Sequence, residues 1–150
     1  MIVATSIASE ETNIHSVIKD WAEAIRNKDA DRVLSHHADG FIQFALAPPL
    51  QYGATNPLGK KGLEEWFASW KGLIGYEIDE LKVVASETVA FAYSLNHMTG
   101  TKSNGEKSDL WFRVTLCFEK VGEAWMLRHE HDSVPFYMDG KAKAAIDLKP

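Results

Sequence analysis

Two histidines one residue apart, His129 and His131, stand in the segment Trp125-Met-Leu-Arg-His-Glu-His-Asp-Ser133. On a strand, Trp125, Leu127, His129, His131 and Ser133 project from one face. An aromatic and an aliphatic residue leading into imidazoles and a hydroxyl suit a wall that is core at one end and cavity at the other. Histidine titrates near neutrality and shuttles a proton when a second group holds its tautomer. The pattern predicts acid–base chemistry on a small molecule, with His131 as acid or base and His129 as its partner. Arg113 would add a planar fork of donors for developing negative charge. A metal is the competing reading, because His-x-His places both rings on one side and His97 could complete a triad.

These residues must be positioned by a frame of helices and strands. Ile14, Val17, Ile18, Trp21, Ala22 and Ile25 repeat with helical spacing and predict a helix over 10–27, with Ser9 as its N-cap. Asp29 caps a short second helix reaching about His37, and a strand follows over 41–46. His15, His36 and His37 then read as helix-surface or helix-end residues. The segment 47–59 holds three prolines and two glycines. A loop of that length is often a lid or a site loop. Leu63, Trp66, Phe67, Trp70, Leu73 and Ile74 predict a third helix over 61–74. After Gly75 the period becomes two, giving strands over 76–85, 89–101, 107–121 and 124–134. Apolar parity shifts near Asp79-Glu80, the mark of a bulge. The expected fold class is α+β, with helices on one face of a curved, mostly antiparallel sheet.

Asn104-Gly105 is a strong hairpin signal. Taken as a two-residue turn, it sets Asn96 opposite Arg113, Met98 opposite Trp111 and Ser94 opposite Thr115. That mixed polar face reads as the pocket wall. Phe91, Tyr93, His97, Phe112 and Val114 then share the other face, suited to core or a dimer interface. The last strand allows two registers. A bulge at Gly122 places His129 and His131 beside Arg113 and Thr115. A tight turn places them with His97 and points Arg128, Glu130 and Asp132 inward. The bulged register is favoured, and it separates His97 from the pair, so no metal is expected.

The chain has 150 residues, 45% hydrophobic and 25% charged, which fits one domain with a real core. A formal net charge of −5 argues against general nucleic-acid binding. Cys117, the only cysteine, lies in an apolar strand pattern and reads as a small buried hydrophobe. No apolar run approaches the length of a membrane span. Met1 to Ala8 lacks the charged start and long apolar stretch of a signal peptide, which predicts a cytoplasmic location.

The order of elements, the run from Trp21 to Gly40 and the closing Gly-x-x-Trp-x-x-x-His-x-His-x-Ser resemble the nuclear transport factor 2-like superfamily, which includes ketosteroid isomerase-like and SnoaL-like proteins. The resemblance covers about residues 10–135, within a domain set at 9–136 between tails at 1–8 and 137–150. It implies a cone, with a bent sheet wrapped around the N-terminal helices and an internal pocket. It also implies a homodimer through the outer sheet face. The fold hosts isomerases, dehydratases, cyclases and binding modules, so it does not give function. The isomerase machinery does not carry over. The position of its catalytic aspartate falls at Ala45, and its helix tyrosine aligns with Trp21, whose indole only donates. In related kinase-association domains a pocket arginine matches Ser94, which favours that face as inward.

Two readings stay open. One is a cofactor-independent isomerase, cyclase or lyase acting on a hydrophobic carbonyl compound through His131, His129 and Arg113. The other is a ligand-binding or dimerising module without chemistry. In both, Trp21, Phe44, Tyr52, Trp66, Trp70, Asn96, Trp111 and Thr115 line the ligand site.

Overall fold

The computed structural model describes residues 6–53 and 59–150. Helix α1 spans Ile7–Arg26, α2 Ala30–Ser35 and α3 Lys60–Ala68. The strands are β1 His37–Phe44, β2 Trp70–Ala85, β3 Val89–Lys102, β4 Lys107–Val121 and β5 Ala124–Ser133. They form one sheet in the order β1-β5-β4-β3-β2, antiparallel except for the parallel β1–β5 pair. The chain is α+β as expected, with the helices on one side of an open, curved sheet.

The apolar stripe of α1 fills that concave side. Ile14, Ile18, Trp21 and Ile25 pack with Phe112, Val114, Leu116 and Leu127 in a single core. Ser6, not Ser9, caps α1 by accepting from the Ser9 amide. The helix therefore starts earlier, and Glu10 lies inside it and is buried. Asp29 caps α2 by accepting from the Arg32 amide at 3.1 Å.

The third helix is shorter than its periodicity suggests. It stops at Ala68, and Trp70 begins β2. Gly72 has φ +73, and a Cβ on Gly75 would meet Thr99 Oγ1 at 2.1 Å, so the backbone here turns and closes onto β3. Trp70 and Ile74 are buried as strand residues, while Leu73 is 67% exposed. The bulge in β2 is present, with its register break between Asp79 and Lys82 and Glu80 at φ +51.

The β3–β4 hairpin differs by one residue from the two-residue turn. Lys102 pairs with Glu106 through the hydrogen bond from its amide, leaving Ser103-Asn104-Gly105 as the loop, with Gly105 at φ +92. This is the three-residue loop with glycine in the left-handed region. The shift moves every β4 side chain to the opposite face. Asn96 lies opposite Phe112 and Ser94 opposite Val114, both pairs facing the core. Arg113 lies opposite Leu95 and Thr115 opposite Tyr93, on the outer face.

Among the described residues no helix is long and apolar enough to cross a membrane. Beyond β5, Phe136 bridges to Ala144, and Ala145 is buried with its amide bonded to the Pro135 carbonyl at 2.8 Å.

Candidate active site

Strand β5 does bulge, but not at Gly122. Val121 pairs with Ala124 across a tight turn, and the register breaks later, between Phe118–Leu127 and Cys117–His129. Arg128 is the extra residue. Trp125 and Leu127 face the core before the bulge, and Glu130 and Asp132 face it afterwards. His129 pairs with Cys117 and His131 with Thr115, as the bulged register predicts. Because β4 is itself shifted, that places both histidines on the outer face.

The inward group is therefore acidic. Glu130 is 5% exposed, opposite Leu116 on β4 and beside Gln43 on the parallel β1. Asp132 follows two residues later, opposite Val114. Gln43 Nε2 donates to Asp132 Oδ2 at 3.4 Å. Burial pushes the Glu130 carboxyl well above its usual range, and the adjacent Asp132 charge pushes it further. Burial also raises Asp132, while its hydrogen bonds with Glu130 and Gln43 hold that rise back. Asp132 Oδ1 is sealed from solvent and has no hydrogen-bond partner among the described residues. Both carboxyls bind a proton more readily than usual, and as close neighbours they titrate as a pair.

A polar relay on β2 and β3 belongs to the same interior. Ser94 Oγ donates to Asn96 Oδ1 at 2.6 Å, and Asn96 Nδ2 donates to the Tyr76 hydroxyl at 2.9 Å. All three residues are buried. Ser94 thereby orients the Asn96 amide, and Tyr76, already accepting a hydrogen bond, keeps its own proton to donate. Burial, then the charges of Glu130 and Asp132, hold its phenol well above the ordinary value. Trp21 packs edge-on against Tyr76, centroids 6.0 Å apart.

Asp132 also reaches the surface. It lines an open cleft of about 710 Å³ with His131 and the segment from Phe44 to Gln51. The cleft walls are largely apolar, formed by Phe44, Leu46, Pro48, Pro49 and Leu50. Tyr52 supports this loop through its bridge to Gln43 and its hydroxyl bond to the Pro48 carbonyl at 2.8 Å.

The remaining residues singled out in the sequence disperse. Arg113 is exposed and donates from Nε to Ser133 Oγ at 3.1 Å, outside the concave face. The Arg113 position expected from a two-residue turn is thus overturned by the one-residue longer loop. His129 Nδ1 lies 2.7 Å from the Ile42 carbonyl, and Phe44 packs against both His129 and His131. Trp111 stacks on His97, centroids 4.3 Å apart, on the outer side, and Thr115 is exposed there. Trp21 and Trp70 are core, and Trp66 is half-buried against Trp70. His97 pairs with Asp109 at 2.7 Å. Among the described residues no group of three or more His, Cys, Asp or Glu is placed to hold a metal ion. His37 begins β1 instead of ending a helix. Burial, then the neighbouring His36, lowers its pKa to about 4.

From the sequence, Glu130 and Asp132 point inward only in the disfavoured tight-turn register, because a charged run is ordinarily a solvated face. Its signal was the parity of Glu130 and Asp132 relative to Leu127, which depends on where the bulge falls.

The model of the SnoaL-like domain matches residues 14–137. The chain belongs to the SnoaL-like family. Its cone is shared by solved structures. An NTF2-like protein of unknown function from Pseudomonas putida KT2440 is 28% identical, with TM-score 0.84, covering 95% of this chain and 98% of that one. A candidate scytalone dehydratase from Novosphingobium aromaticivorans is 17% identical, with TM-score 0.74 and 92% of each chain covered. A candidate dehydratase from Streptomyces avermitilis is 12% identical, with TM-score 0.74, covering 85% and 97%. At these last two identities the likeness to this SnoaL-like chain is one of fold. No curated protein matches.

Proposed function

We propose that this SnoaL-like protein is a cofactor-independent acid–base enzyme of the isomerase, dehydratase or cyclase kind, acting on a hydrophobic carbonyl compound. The observation that carries the reading is the Glu130–Asp132 pair, of which Glu130 is buried and Asp132 lines an apolar cleft. A carboxyl pair with raised affinity for one proton offers an acid and a base at the same place near neutral pH. Asp132, the member at the cleft, takes a proton from the carbon next to the carbonyl. Glu130 keeps its proton and tunes that base. His131, at the cleft rim, is the second proton carrier. The dehydratase names among the fold relatives are consistent with this class of chemistry.

The test needs no knowledge of the natural substrate. Proton–deuteron exchange next to the carbonyl of 2-tetralone and related ketones is followed by NMR in heavy water. The protein accelerates exchange over buffer, and Asp132→Asn removes the acceleration by about 100-fold or more. Binding without any exchange across the panel would instead favour the ligand-binding module.

The outer sheet face supports a second element of the reading, a homodimer. Phe91 and Tyr93 there are 45% and 50% exposed. Apolar area of this kind is ordinarily covered by a partner.

A further inference from the structure

The acid pair lacks a cation. Among the described residues no ion pair involves Glu130 or Asp132. The arginines nearest along β4 and β5 are turned away. Arg113 is bonded to Ser133, and Arg128 to Glu119 and the Asp39 carbonyl. Asp132 brings a carboxyl group to the cleft, and among the described residues its side-chain donor is the Gln43 amide. The described lining residues of the cleft add no lysine or arginine to this. Among them, apart from Asp132, the polar side chains are His131 and Gln51, and the rest are apolar.

A charge in a poorly solvated setting acts strongly on whatever enters beside it. A carboxylate, phosphate or sulfonate brought to Asp132 would meet a like charge and find no fixed cation to offset it. A hydroxyl or carbonyl would meet only a hydrogen-bond acceptor or donor, and an ammonium group would find a partner. Building on the pocket function above, we propose that the cleft at Asp132 is a charge filter: it takes uncharged or cationic, largely apolar compounds and rejects anions. The substrate class narrows accordingly to neutral hydroxy- or keto-compounds. Free acids, phosphate esters and coenzyme-linked thioesters, whose phosphates stay anionic, are excluded wherever their charge reaches Asp132.

The test uses matched probes of one shape and three charges: 2-naphthol, 2-naphthalenesulfonate and 2-naphthylmethylammonium. Binding to the full chain near neutral pH is followed by two-dimensional amide NMR, which also reports where each probe sits. The alcohol and the ammonium should perturb amides of the Phe44–Gln51 segment and Asp132, with the sulfonate about tenfold weaker or more. In the Glu130→Gln, Asp132→Asn double variant the sulfonate should recover to within about threefold of the alcohol. The amide spectrum itself verifies that the variant is folded, and the wild-type comparison decides the matter alone if it is not. Equal binding of alcohol and sulfonate at the cleft would overturn the filter while leaving the pocket reading in place. Sulfonate rejection that persists in the folded double variant would also overturn it, since the charge would then not be the cause. Binding of none of the three at the cleft would remove the pocket reading and the filter together.

Discussion

Two buried acidic sites lie at opposite ends of the same strand pair. At the start of β5, Glu10 from α1 is 1% exposed, accepts from Lys120 Nζ at 2.7 Å and from Trp125 Nε1 at 2.5 Å. At the end of β5, Glu130 and Asp132 have each other, Gln43 and, among the described residues, no cation. Hydrogen bonding to Lys120 draws the Glu10 pKa down despite burial. Burial drives the other two up. The fold thus satisfies an acid completely where it fastens a helix to the sheet, and leaves an acid pair incompletely satisfied where a cleft opens. The first arrangement is that of a tie. The second is that of a group held ready to exchange a proton with something else.

The sharpest way to break this contrast is activity. Asp132→Asn should lower any exchange activity by about 100-fold or more, whereas Lys120→Met should leave the activity per folded molecule within about threefold. Steady-state rates corrected for folded fraction check both. Stability should show the reverse. Lys120→Met strands a buried carboxylate and should lower Tm by roughly 5–10 °C. Glu130→Gln removes a strained acid and should shift stability by no more than about 1 kcal/mol, toward greater stability on the alkaline side. Thermal unfolding of the two variants side by side compares them directly.

The pH dependence of stability should carry opposite slopes from the two sites. Glu130 and Asp132 have raised folded pKa values, so their contribution is full below the unfolded carboxylate range and is lost as pH rises through the folded values. Glu10 has a lowered folded pKa, so its contribution is present above the unfolded value and is lost as pH falls through the folded one. Denaturant titrations across pH should show the neutral-side loss flattened in the Glu130→Gln, Asp132→Asn variant alone. They should show part of the acid-side loss removed in Glu10→Gln alone. An unchanged neutral-side slope in the double variant would end the account of a pair with raised proton affinity. The smallest effect belongs to Arg113→Ala, whose exposed outer-face side chain should change stability by less than about 0.5 kcal/mol and activity hardly at all.

Much of the frame was legible from the residues. The stripe from Ile14 to Ile25 is the core face of α1, and the parity shift at Asp79-Glu80 is a bulge. The site was not legible, because it depends on two one-residue choices. Asn104-Gly105 marks a hairpin equally well with two loop residues or three, and only the Lys102–Glu106 pairing selects three. A bulge between Gly122 and His131 is hinted at by the residues, but its place is decided by packing. Leu127 must stay inside with Leu116 and Phe118, and Arg128 must reach Glu119. Each choice inverts the faces of everything after it. Trp70 escaped for a different reason. The same apolar spacing continues from α3 into β2, and only the glycines at 72 and 75 reveal that the backbone has changed.

The parallel pairing of β1 with β5 has a consequence for how the molecule comes into being. Gln43 and Glu130 are ladder neighbours, and β5 lies between β1 and β4. While the chain emerges from the ribosome, β1 is left without its partner strand until β2, β3 and β4 have been made. The final strand must then insert between two elements from distant parts of the chain, a closure of high contact order that is slow for entropic reasons. The acid pair arrives on that strand, so it is assembled in the closing step. Nascent chains and partly folded intermediates would hold the cleft wall from β1 without the groups that make it reactive.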